Sequence, residues 1–147
     1  MSNHIEALSS SLHKTNEWIR DVADVLGDGN RHYAYNALRA TLHTLRDRLS
    51  LEQSAHFSAQ LPLVLRGAYF EGWRPSETPS RIRTLDDFIE CVRREMRDTT
   101  PLFHERCAEA VAASLTAIAR HVDVGTVAKI QECLPRELRE MWPHFVA

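Results

Sequence analysis

Ala34, Ala37, Leu38, Thr41, Leu42, Leu45 and Leu49 recur at i, i+3, i+4 and i+7, which predicts one stripe of a 3.6-residue helix. Cys107, Ala110, Val111, Ser114, Leu115, Ile118 and Val122 predict a second helix of the same kind. Both stripes are rich in Ala, Thr and Ser, so a neighbouring helix can approach closely. Start signals fall where further helices should begin. Ser50 precedes Gln53 in a capping-box pattern, and Asp123 takes the matching N-cap position. Thr84 followed by Asp87 caps another helix, and Thr100-Pro101 is a cap-plus-N1 pair. Pro62 and Pro135 suit the first turn of short closing helices, and Gly72 is placed to end the first of them. Asp28-Gly29 reads as a helix–helix turn. No alternating run flanked by Asn-Gly or Asp-Gly competes with this all-α reading.

The two stripes belong to a longer self-similarity. With a shift of 73, residues 37–66 meet 110–139 with eight identities in 30 positions: Ala37, Ala40, Leu42, Ala55, Leu61, Pro62, Leu65 and Arg66. Average composition gives roughly two. The other pairs keep size and polarity: Leu38 with Val111, Thr41 with Ser114, Leu45 with Ile118, Leu49 with Val122, Phe57 with Ile130. Upstream, a shift of 70 pairs Trp18, Ile19, Val22 and Leu26 with Phe88, Ile89, Val92 and Met96. The change of shift puts a three-residue insertion in a loop after Asp98, where insertions are tolerated. The expectation is a single domain over 1–147 made of two tandem pseudo-symmetric repeats of three to four helices. Repeat 1 spans 17–73 and repeat 2 spans 84–142, around units at 17–66 and 87–139. A Pro- and Ser-rich connector at 74–83 joins them.

These residues resemble a known family. Ala37-Leu38-Arg39-Ala40-Thr41-Leu42 through Arg48-Leu49, then Ala59-Gln60-Leu61-Pro62-Leu63-Val64-Leu65-Arg66, Gly72-Trp73, Phe88 and Leu134-Pro135 are similar to the bacterial domain of unknown function 2267. The resemblance covers roughly residues 15–142. It implies an all-helical, internally duplicated fold, and it brings no activity, cofactor or catalytic residue with it.

Composition sharpens the picture little. At 147 residues the chain is long enough to bury a core without metal or disulfide staples. Its formal charge of −2 argues against a strongly basic nucleic-acid binder. Only Lys14 and Lys129 are lysines; the other 16 basic residues are arginine, which suggests a GC-rich bacterial genome. Three cysteines at irregular spacing read as free thiols. No run of 18 apolar residues suggests a membrane span, and the N-terminus lacks the pattern of a secretory signal, so a cytoplasmic location is expected.

Reactive chemistry is hard to assemble. None of the eight histidines stands at i+3 or i+4 from another; Glu52/His56 and His43/Asp47 are at most metal half-sites and more often surface pairs. His121 and Arg48 end equivalent helices, where the dipole favours positive charge. His104 lies three residues from Cys107, but Cys107 falls on the apolar stripe, where a thiol is inert. Arg74, Arg81, Arg83, Arg93, Arg94 and Arg97 are interleaved with acids, which makes a mixed solvated face. The expectation is a non-enzymatic interaction or scaffold module with a protein partner. No metal, cofactor, nucleic acid or membrane is expected. Its candidate surface is an apolar groove around Tyr69 and Trp73, joined by Arg66, Arg139 and Trp142. Arg66 and Arg139 either pair within their own unit or bind an anion. The alternative is a small-ligand or anion pocket between the repeats, possibly enzymatic, with convergent Arg and His.

Overall fold

The computed structural model describes residues 5–27, 29–96 and 106–143. Helices α1 (Glu6–Leu26), α2 (Arg31–Arg48), α3 (Leu51–Ser58) and α4 (Leu63–Phe70) form the first half. A 3-10 turn (Pro75–Glu77) lies in the connector. Helices α5 (Leu85–Met96), α6 (Cys107–His121), α7 (Val124–Cys133) and α8 (Arg136–Glu140) follow. The fold is all-α, with no strand among the described residues.

The start signals act locally, as expected. Ser50 Oγ accepts from Gln53 N (3.2 Å), Asp123 Oδ2 from Thr126 N (3.3 Å), and Thr84 Oγ1 from Asp87 N (3.1 Å). Pro62 and Pro135 stand at the N-cap rather than inside the first turn. Helix α4 ends at Phe70, and Gly72 takes φ +72° two residues later, a conformation that favours glycine. Gly27 closes α1 in the same left-handed region, its N–H donating to Ala23 O (2.9 Å). Asn30 caps α2 through Oδ1 to Tyr33 N (3.0 Å), a start signal the sequence reading did not use. Asp28, the insertion after Asp98 and the Thr100-Pro101 pair lie outside the described residues.

Helix α2 buries eleven of its 18 residues, which places it at the centre. It packs on α1, α4, α5 and α6, and α6 packs in turn on α1 and α5. One hydrophobic core draws on both halves. Positions paired by the sequence repeat are buried on both sides: Trp18 and Phe88, Val22 and Val92, Leu38 and Val111, Leu42 and Leu115, Leu45 and Ile118. The same holds for Phe57 and Ile130, Leu65 and Leu138, and Tyr69 and Trp142.

Polar ties cross the halves. Gln60 accepts from Asp123 N (3.1 Å) and donates to Thr126 Oγ1 (3.3 Å), joining the end of α3 to the start of α7. Glu137 of α8 accepts from Leu85 N (2.8 Å) at the start of α5. The connector is held to α2 by Ser80 N to Asp47 O (2.6 Å) and Arg48 Nε to Ile82 O (2.7 Å).

Candidate functional site

Two of the five residues expected on a surface are corrected by burial. Tyr69 of α4 sits edge-on to Phe57 and Phe70, with its hydroxyl donating to Ser54 Oγ (3.0 Å). Burial pushes its phenol well above the usual tyrosine range, against the opposing effect of the Ser54 bond. Trp142 is sealed in the core. Both rings face inward because each closes its half of the core, so neither offers area to a partner. Trp73 is half-buried and packs on Phe70 at 5.2 Å between ring centroids. An apolar groove around Tyr69 is therefore not formed.

Arg66 and Arg139 make the same local bonds at the same offsets. Arg66 Nε donates to Ser58 O (2.9 Å) and its Nη2 to Leu61 O (2.9 Å). Arg139 Nε donates to Gln131 O (3.1 Å) and its Nη2 to Leu134 O (3.2 Å). Each guanidinium adds a second donor to a helix-end carbonyl that already accepts from Leu61 N or Leu134 N, and also takes up the carbonyl of that same Leu61 or Leu134. Both arginines bond to helix-end carbonyls within their own units.

The remaining chemical suspects are spread apart. His121 ends α6, stacks on Trp18 at 4.8 Å and bonds Asp21 Oδ2 through Nε2 (2.7 Å). His43 turns away from Asp47 and faces Glu95 with Nδ1 (2.9 Å), while Nε2 donates to Ala68 O (2.6 Å). Glu52 and His56 line a shallow depression with Lys129, a cation that disfavours a metal there. No group of three metal-ligating residues occurs among the described residues. Burial raises the Cys107 thiol above its usual range, and the nearby Arg93 only partly opposes this. His104 and Arg97 lie outside the described residues. In the arginine-rich segment, Arg93 and Arg94 both pair with Glu90, and Arg74 pairs with Glu77 (3.6 Å).

Three features remain on the outside. Ile5, Leu8 and Leu12 are exposed at i, i+3 and i+7, one stripe along the start of α1. Ser11 Oγ accepts from Val64 N (3.0 Å), which fixes the start of α4 against this turn, where Leu63 and Val64 are also exposed. The stripe lies ahead of the first repeat unit at 17–66, so the repeat pattern did not mark it as a face. Beside it opens a polar cleft of about 530 Å³, lined by Ser10, Lys14, Glu17, Trp18, Arg66 and His121. A second cleft of about 320 Å³ lies where α2, the connector and α5 meet. No described helix is long and apolar enough to cross a membrane.

A family model described as an uncharacterized conserved protein (DUF2267) matches residues 15–141. No curated protein matches the chain.

Proposed function

The chain belongs to the uncharacterized conserved protein (DUF2267) family, and from that premise we propose that it is a non-enzymatic helical module that docks a protein partner. The observation that carries this reading is the exposed apolar set of Ile5, Leu8, Leu12, Leu63 and Val64, drawn from two helices and locked together by the Ser11–Val64 bond. It replaces the Tyr69–Trp73 groove as the working surface. Duplication of one helical unit supplies the scaffold; matched buried positions and the matched bonds of Arg66 and Arg139 support it. A cytoplasmic setting belongs to the same reading.

Affinity capture from the native host tests it with paired baits. The unaltered chain should recover a specific partner, and a Leu8→Asp/Leu12→Asp chain should lose it while keeping its helical content. Equal recovery by both baits refutes this face.

One observation favours a second reading, small-ligand or anion binding. The cleft beside the stripe brings Lys14, Arg66 and His121 together from both halves. It is open rather than closed, and Arg66 and His121 already hold carbonyls and Asp21 there. A thermal-shift screen with metals, nucleotides and acidic metabolites tests this reading, and no rise in melting temperature removes it.

A further inference from the structure

We infer that the second cleft, between α2, the connector and α5, binds a small zwitterion of the amino-acid class. Its carboxylate meets Arg46 and Ser80, and its ammonium group meets Glu95 and its acidic neighbours. The inference concerns a different cavity from the one above and stands independently of the docking face.

Arg46 is the first observation. Its side chain is only 4% exposed yet lines the cleft. Nε donates to Asp47 Oδ1 (2.8 Å), and Nη1 donates to Tyr69 O (2.8 Å) and Glu71 O (3.0 Å). Nη2 has no partner among the described residues. Three bonds fix the plane of the guanidinium, so the remaining amino group is aimed before any ligand arrives. Nη2 is not among the solvent-sealed unpartnered atoms, so it meets the water of the cleft, and a carboxylate is the acceptor that matches such a charged donor best.

Ser80 is the second. Its backbone N–H is tied to Asp47 O (2.6 Å), which holds it at the same helix end. Its hydroxyl has no partner among the described residues and lies covered beneath the cleft lining that Ser80 joins, so a carboxylate in the cleft reaches it through a turn about χ1. The wall thus carries two unused donors, one charged and one neutral.

The facing wall is acidic and equally fixed. Glu95 lines the cleft, and both of its carboxylate oxygens face His43 Nδ1 (2.9 and 3.0 Å). His43 is itself anchored on Ala68 O. His43 and Arg46 are three residues apart on α2, neighbours about 5–6 Å apart at Cβ. That spacing sets the acid and the free guanidinium donor within reach of one small molecule. Asp47 and Glu77 add two more carboxylates, and Arg74 pairs with Glu77.

Charge and size then select the class. The lining carries Arg46 and Arg74 against Asp47, Glu77 and Glu95, a net −1 that disfavours a simple anion. The buried Arg46 disfavours a bare cation. A zwitterion satisfies both walls, and about 320 Å³ is at the small end of ligand pockets.

A ¹H–¹⁵N NMR titration of the full chain tests the inference, with glycine and β-alanine as probes and acetate and methylammonium as single-charge controls. Saturable shifts should appear at Gly72, Arg74 and Ser80 with glycine or β-alanine, and each control should bind about tenfold or more weakly. Ser80→Ala, which leaves Arg46 and its helix cap in place, should weaken the probe about tenfold. Glu77→Gln provides a second folded variant and should weaken the zwitterions more than acetate. Three results overturn the inference: no saturable shift with either zwitterion, acetate binding as tightly as glycine, or both variants binding unchanged.

Discussion

Replacing Arg66 by alanine removes guanidinium bonds to the carbonyls of Ser58 and Leu61, each 2.9 Å long, and a weaker one to Ala59 O (3.4 Å). Charge-assisted bonds of this type contribute about 1.5–3 kcal/mol when buried. Arg66 is only half-buried, so water replaces part of what is lost, and the expected cost is about 2 kcal/mol. Arg139→Ala removes the equivalent bonds, but these are longer (3.1 and 3.2 Å) and the side chain is exposed. The expected cost there is about 0.5–1 kcal/mol. For a chain near 150 residues, 1 kcal/mol moves the melting temperature by about 2–4 °C. Arg66→Ala should therefore fall by about 4–8 °C and Arg139→Ala by about 1–4 °C. Arg66→Lys should recover little, because an ammonium group cannot fork across two carbonyls. Urea unfolding monitored by circular dichroism reads the difference as a lower midpoint at unchanged slope. Unaltered midpoints for both alanine variants, or a larger loss at Arg139, refute the capping role.

Phe57→Ala removes a fully buried ring packed on Tyr69 and should cost about 3–5 kcal/mol, read by the same unfolding curves; a loss below 1.5 kcal/mol means the site collapses or the ring is not in the core. Thr41→Val should be neutral or stabilising by up to about 1 kcal/mol, because the Thr41 hydroxyl is buried without a partner among the described residues; a clear loss of stability reveals a partner. The Tyr69 phenol is raised by burial, so the folded state holds its proton while the unfolded chain releases it near pH 10. Its contribution to stability is complete below that pH and declines as pH rises beyond it, and a spectrophotometric titration in which all three tyrosines ionise together contradicts this. Cys133 is exposed and Cys107 buried with a raised thiol, so a thiol reagent should label Cys133 in the folded protein and Cys107 only on unfolding; equal rates overturn that ordering.

Much of the fold was legible because its signals are local. The stripe from Ala34 to Leu49 became α2, and the side chains of Ser50, Thr84 and Asp123 accept from backbone N–H groups three residues on, a distance a sequence displays directly. The burial of both members of pairs such as Trp18/Phe88, Val22/Val92, Leu42/Leu115 and Phe57/Ile130 fits patterns of size and polarity along the chain. The outer surface was less legible. Aromatic residues carry no mark of which side they face, so Tyr69 and Trp142 suggested a groove and lie in the core instead. Arg46 and His43 looked ordinary because their partners, Tyr69 O, Ala68 O and Glu95, stand 23 to 52 residues away and two of them are backbone atoms. Leu8 and Leu12 gain meaning only once Val64 is seated on Ser11. The clefts arise from such pairings, which spacing does not encode.

Hydrogen exchange on the chain, free and bound to the partner captured from its host, tests the docking face most directly. Slowed exchange should concentrate at the start of α1, from Glu6 to Leu12, and around Leu63 and Val64. Slowed exchange confined to Trp73 and the connector, with α1 and α4 unchanged, contradicts the account.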